Sequence, residues 1–122
     1  MTRPQLLLVD DESEILELLT LIFADCDVQT ALNAASAKRI LLTQNVDLLV
    51  TDLKMPGGSG FELIEFSKQH WPALPIVVIT GHDPALSPPE SMKVHSCVRK
   101  PFRKIFIRNA VAEALATKGV SL

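Results

Sequence analysis

Leu48-Leu49-Val50-Thr51-Asp52-Leu53-Lys54-Met55-Pro56, followed at once by Gly57-Gly58-Ser59-Gly60, is the stretch on which the fold turns. A short apolar run bounded by turn residues reads as a buried strand, here from Val46 to Asp52. Asp52 then closes the strand at its carboxyl end, and in an open α/β sheet ligands bind along that edge. By itself the pattern also fits a helix N-cap or a solvated turn carboxylate.

Working outward, three further runs end in polar groups of the same kind. Gln5 to Val9 leads into Asp10-Asp11-Glu12. Pro75 opens Ile76-Val77-Val78-Ile79-Thr80, and Cys97-Val98-Arg99-Lys100 leads into Pro101-Phe102. A fifth, half-polar run from Asp27 to Leu32 fits an outer strand. Helical patterns lie between them. Ile15, Leu16, Leu18, Leu19, Ile22 and Phe23 follow Ser13-Glu14, where acids at a first turn suit the macrodipole. Asn33 caps a second helix reaching Gln44, with Ile40 and Leu41 inward. Ser59 caps a third, with Phe61, Leu63, Ile64 and Phe66 as its apolar members, and His70-Trp71-Pro72 ends it. The last helix runs from Phe102 to Lys118, with Ile107, Val111 and Leu115 on one face and Gly119 at its end. Asp83 to Ser96 is irregular: Pro84, Pro88 and Pro89 leave room for a helix only from about Pro88 to Val94. Strand and helix alternate five times, which implies a doubly wound parallel sheet with a shortened or irregular fourth helix. Four polar strand ends would then meet on one edge.

The 122 residues suit one domain, 1–122. The composition, 48% hydrophobic and 21% charged, is globular. A net charge of −2 without a basic run excludes a nucleic-acid footprint on this segment. No apolar stretch nears the ~18 residues of a membrane span, and Leu6-Leu7-Leu8-Val9 is too short for a signal core, so the chain reads as cytoplasmic. Cys26 and Cys97 lack metal-ligand spacing and read as reduced thiols.

Asp10, Asp11 and Asp52 together would place three carboxylates in one cleft. Their repulsion calls for a hard divalent cation, and oxygen-only ligands suit Mg²⁺, which favours phosphate as a further partner. Carboxylate, Mg²⁺, the Thr80 hydroxyl and the Lys100 ammonium compose a phosphoryl-transfer site with the carboxylate as nucleophile. Glu12 reads as a helix N-terminal charge. His70 and His95 read as surface residues, His82 as either a loop residue or a flank of the site, and Trp71 as packing.

Val9-Asp10-Asp11-Glu12, Asp52-Leu53-Lys54-Met55-Pro56 with Gly60, Ile79-Thr80-Gly81-His82 and Lys100-Pro101-Phe102, over roughly residues 5 to 118, resemble the receiver domain of two-component response regulators. The resemblance implies a flavodoxin-like fold with strand order 2-1-3-4-5. It implies a phosphoacceptor signalling domain, not an enzyme on a separate substrate, that catalyses its own phosphorylation and dephosphorylation. Asp52 would accept a phosphoryl group from a histidine kinase or phosphotransfer protein. Asp11, Asp52 and the Lys54 carbonyl would ligate Mg²⁺, with Asp10 acting mostly through water; Thr80 and Lys100 would bind the phosphoryl group. The Lys100-Pro101 bond would be cis.

The chain departs from the family at Cys97, where the signalling aromatic usually stands, at Lys93-Val94, where Gly-Ala is usual, and in a Thr80–Lys100 segment about two residues short. Two alternatives follow. An Asp-nucleophile phosphohydrolase usually carries a second Asp where Lys54 stands. A docking module whose phosphorylation is not the signal would be expected to lose Asp, Thr or Lys. On the last helix Ile105 lies about 160° around from Ile107 and Phe106 at the margin, so both are expected on an outer patch. That patch predicts association, such as a homodimer, through the face formed by the fourth helix, the last strand and the last helix.

Overall fold

The unbroken apolar runs make sense once both sheet faces are covered, because successive side chains on a strand point to opposite faces. The structure, a computed structural model, describes residues 3–55, 59–81 and 90–122. Its strands are β1 (Gln5–Val9), β2 (Asp27–Ala31), β3 (Leu48–Asp52), β4 (Ile76–Thr80) and β5 (Ser96–Arg99), all parallel in the order β2-β1-β3-β4-β5. The helices are α1 (Ser13–Ile22), α2 (Ala34–Thr43), α3 (Gly60–His70) and α4 (Lys104–Ala116). This is the flavodoxin-like doubly wound sheet that the sequence predicts.

Leu6, Leu8, Leu48, Val50, Val77 and Ile79 face α1 and α4, where Leu16, Leu19, Ile107, Val111 and Leu115 complete one core. Leu7, Val9, Leu49, Ile76 and Val78 face α2 and α3, where Ala37, Leu41, Leu63 and Ile64 complete the other. Fully burying one such aliphatic side chain contributes roughly 1.5–3 kcal/mol. β2 and β5 are the edges; β5 alternates in exposure, with Val98 packed against one core, and β2 is mostly exposed, with Val28 and Ala31 packed into opposite cores.

Helix starts follow the sequence. Asn33 Oδ1 accepts the Ser36 N–H at 2.8 Å, and Ser59 Oγ accepts the Glu62 N–H at 3.2 Å. Ends differ by one or two residues. β2 stops at Ala31 and not Leu32, because Asn33 is committed to its cap. β3 begins at Leu48 and not Val46: Asp47 is already held by Gln5, which accepts its N–H and donates to its carboxylate. α4 begins at Lys104 and not Phe102, and Gly119 follows it in the left-handed region at φ 74°. β5 covers Ser96–Arg99, so Lys100 stands just beyond the strand. The Lys100-Pro101 bond is cis.

The fourth crossover is described only in part. His82 and most of the proline-rich segment, including Pro84, Pro88 and Pro89, lie outside the described residues, as do Pro56, Gly57 and Gly58. The described part is a single 3-10 turn, Glu90–Met92, so the expected helix to Val94 stops at Met92. Lys93 after it takes φ 52°, a left-handed value that ends any helical run in a residue with a Cβ.

Candidate functional site

Parallel strands present all their carboxyl ends on one edge, and β1, β3 and β4 sit side by side. Asp10 follows β1, Asp52 closes β3, Thr80 closes β4 and Lys100 follows β5. The expected set therefore meets in one place. Asp10, Asp52 and Thr80 are buried, with Asp10 0% exposed, while Asp11, Glu12 and Lys54 are exposed.

Gly60 fixes the carboxyl end of β3. Its N–H donates to the Leu53 carbonyl at 2.9 Å. A Cβ here would fall onto the Asp52 carbonyl oxygen and within 2.7 Å of Leu53 Cα, so only glycine lets α3 start this close to the strand. The Lys54 N–H then reaches Asp52 Oδ1 at 3.3 Å. On the other side, the Asp10 N–H donates to the Ala31 carbonyl at 3.2 Å. Its Oδ1 accepts the Glu12 N–H at 2.9 Å.

The ammonium of Lys100 is the centre of the charge. Nζ lies 2.8 Å from Asp10 Oδ2, 2.9 Å from Asp52 Oδ2 and 3.2 Å from Glu12 Oε1. The contact with Asp10 Oδ2 is an ion pair. That buried oxygen thus has a countercharge but no directed donor among the described residues. Burial pushes the Asp10 carboxyl above its ordinary pKa, against the pull of Lys100 and the Glu12 N–H. Burial alone would lower the Lys100 pKa, but its bonds to Asp10 and Asp52 and their charges overcome this and hold it above the usual lysine range. The Lys100 N–H donates to the Thr80 carbonyl at 2.7 Å, which ties β4's end to the lysine backbone.

One carboxylate oxygen from each of Asp10, Asp11, Glu12 and Asp52 falls within 4.8 Å of the others. This all-oxygen set, with the orphaned Asp10 oxygen inside it, fits a hard divalent cation such as Mg²⁺. Lys100 offsets part of the carboxylate crowding in the absence of such a cation. Sequence reasoning also gave Glu12 less than its due: it occupies the N-cap position of α1 without a side-chain cap bond, and its carboxylate meets Lys100. The signal available was its place third in an acidic triplet.

The response regulator receiver domain model matches residues 6–112. The chain belongs to this family. It is 34% identical over 119 residues to the response regulator protein PilR of Pseudomonas aeruginosa, covering 94% of the chain but only 27% of that relative's length. Among solved structures, a response regulator receiver domain protein from Clostridium thermocellum superposes at a TM-score of 0.87 with 27% identity, covering 95% of the chain and 97% of its counterpart. The response regulator TrrA of Thermotoga maritima, solved in complex with Mg²⁺ and beryllofluoride, superposes at 0.83 with 27% identity, over 91% and 98%. The chain is thus similar to receivers of two-component phosphorelay signalling. Among the described residues, no helix is long and apolar enough to cross a membrane.

Proposed function

We propose that this receiver is a phosphoacceptor switch in which Asp52 takes a phosphoryl group from a phosphohistidine of a histidine kinase or phosphotransfer protein. The observation that carries the reading is the Lys100 ammonium 2.9 Å from Asp52 Oδ2, inside the carboxylate cluster at the strand ends. An Asp52 oxygen bonds to phosphorus as the P–N bond breaks, and the bond's electron pair returns to the imidazole, which takes up a proton. The Lys54 N–H holds the other end of the acceptor carboxylate. Lys100 neutralises charge on the phosphoryl oxygens, and the Thr80 hydroxyl donates a hydrogen bond to one of them.

Asp11, Asp52 and the Lys54 carbonyl would hold Mg²⁺, with Asp10 acting mostly through water. When bound, the ion supplies positive charge at the phosphoryl oxygens. The chain carries out its own phosphorylation and dephosphorylation and acts as a signalling domain, in the cytoplasm, without contacting nucleic acid or membrane itself. Output runs through the face built by the segment before β5, β5 and α4, by homodimerisation or an effector contact.

Incubation with acetyl phosphate and Mg²⁺, read by intact mass, tests the acceptor. One phosphoryl group is expected on the parent protein and none on Asp52→Asn. Full modification of the Asn variant would overturn the assignment.

A further inference from the structure

Lys100 has three N–H donors and, among the described residues, three carboxylates around them. Two come from the loop after β1, Asp10 and Glu12; the third is the acceptor, Asp52. We infer that Glu12 is a positioning residue, which with Asp10 aims the Lys100 ammonium at Asp52. The inference rests on the phosphoacceptor reading and adds to it a residue outside the family's acceptor and metal set.

Both ends of the Glu12–Lys100 pair are anchored. The Glu12 N–H is bonded to Asp10 Oδ1 at 2.9 Å, and the Lys100 N–H to the Thr80 carbonyl at 2.7 Å. Glu12 starts α1 with an extended backbone, and its side chain makes no cap bond, so its carboxylate is available to the lysine. Its contact spans 88 positions of sequence and joins the first loop to the end of the last strand. When a phosphoryl group is on Asp52, the third N–H passes from the carboxylate oxygen to a phosphoryl oxygen, while Asp10 and Glu12 keep the nitrogen in place. Glu12 Oε1 at 3.2 Å is thus a second fixed partner for Lys100 beside Asp10.

The contact is read first without metal, through the ¹⁵N–¹H signal of the Lys100 ammonium. Hydrogen bonds to Asp52 and Glu12, with the ion pair to Asp10, protect it from hydrogen exchange, so Glu12→Ala should speed exchange severalfold, with Glu12→Gln between the two. Unchanged exchange in Glu12→Ala would overturn the inference. The second arm is beryllofluoride affinity at saturating Mg²⁺. A half-exposed ion pair of this kind corresponds to about two- to fivefold weaker binding in Glu12→Ala. That loss should vanish in a Lys100→Met background, because the carboxylate acts through the lysine. Equal or tighter binding in Glu12→Ala would overturn the inference, and so would an undiminished loss in the Lys100→Met background, which would make Glu12 a metal ligand or helix cap instead. A parent protein that bound no beryllofluoride would remove the phosphoacceptor reading itself, a result the metal-free arm keeps separate.

Discussion

Asp11 is the residue whose contribution the geometry isolates best. It is exposed, and among the described residues it lies outside the ion pairs of Lys100, yet one of its oxygens belongs to the 4.8 Å cluster. Asp11→Ala should therefore abolish most of the Mg²⁺-induced rise in thermal unfolding temperature. Its metal-free midpoint should move little and upward, because Lys100 already offsets much of the repulsion. A full metal-induced shift in the variant would contradict the ligand role. The contrast between Asp11 and Glu12 also marks what a sequence can and cannot say about this site. Asp10, Asp52, Thr80 and Lys100 were legible because each ends an apolar run, and parallel strands bring such ends together. Glu12 was not, since a third acid at a helix start has a sufficient local explanation in the helix dipole. Its partner, 88 positions away, is visible only once β5 is docked.

At the scale of elements, the junction of β3 and α3 admits a sharp test. Gly60→Ala forces a methyl group onto backbone and not onto a yielding side chain. The strand end or the helix start must shift, at a cost of roughly 1–3 kcal/mol by analogy with overpacked sites. Chemical denaturation should show this loss, and acetyl phosphate labelling of Asp52 should slow. A variant as stable as the parent would mean the junction relaxes freely. A second test concerns the clasp between α1 and α4. Arg108 Nη1 and Nη2 each lie 3.0 Å from a carboxylate oxygen of Asp25, and Nη1 also donates to the Ile22 carbonyl at 2.8 Å. The Arg108 bonds hold the Asp25 carboxyl below its ordinary value of 3.8. A depressed acid contributes stability that is present above 3.8 and lost as pH falls through its native value. Both partners are partly solvated, so the contribution is well under ~1 kcal/mol. Asp25→Asn should flatten the acid limb of the stability profile slightly below pH 3.8 and leave its shape at neutral pH alone; an unchanged acid limb would dismiss the pair. Element types were readable from periodicity and caps. Their ends were not always, because Asp47 is spent on Gln5, a neighbour that no local window contains.

For the whole molecule, the open question is which surface meets a partner. Ile107, Val111 and Leu115 are fully buried, whereas Ile105 and Phe106 are 57% and 58% exposed. Ile105 and Phe106 thus lie on the outer side of this turn of α4, as their helical angles predict. The competing possibility, that the Asp83–Ser96 segment folds over both, falls largely outside the described residues. Cys97 is exposed on the edge strand β5, so an apolar ring does not fill that position. Sedimentation with and without beryllofluoride should show association of the parent protein and its loss in Ile105→Glu, with Asp52 phosphorylation retained. Parent protein that stays monomeric in both conditions would rule out self-association through this face.

The place of β5, last in sequence and outermost in the sheet, gives the site a history as well as a geometry. During N-to-C synthesis the acids at residues 10, 11, 12 and 52 leave the ribosome first, and β2, β1, β3 and β4 are complete before residue 96 is made. Until residue 100 is made, these acids lack the ammonium that pairs with three of them in the folded domain. Arrival of the last strand then does two jobs at once: it completes the sheet, and it brings in the charge that offsets the acids.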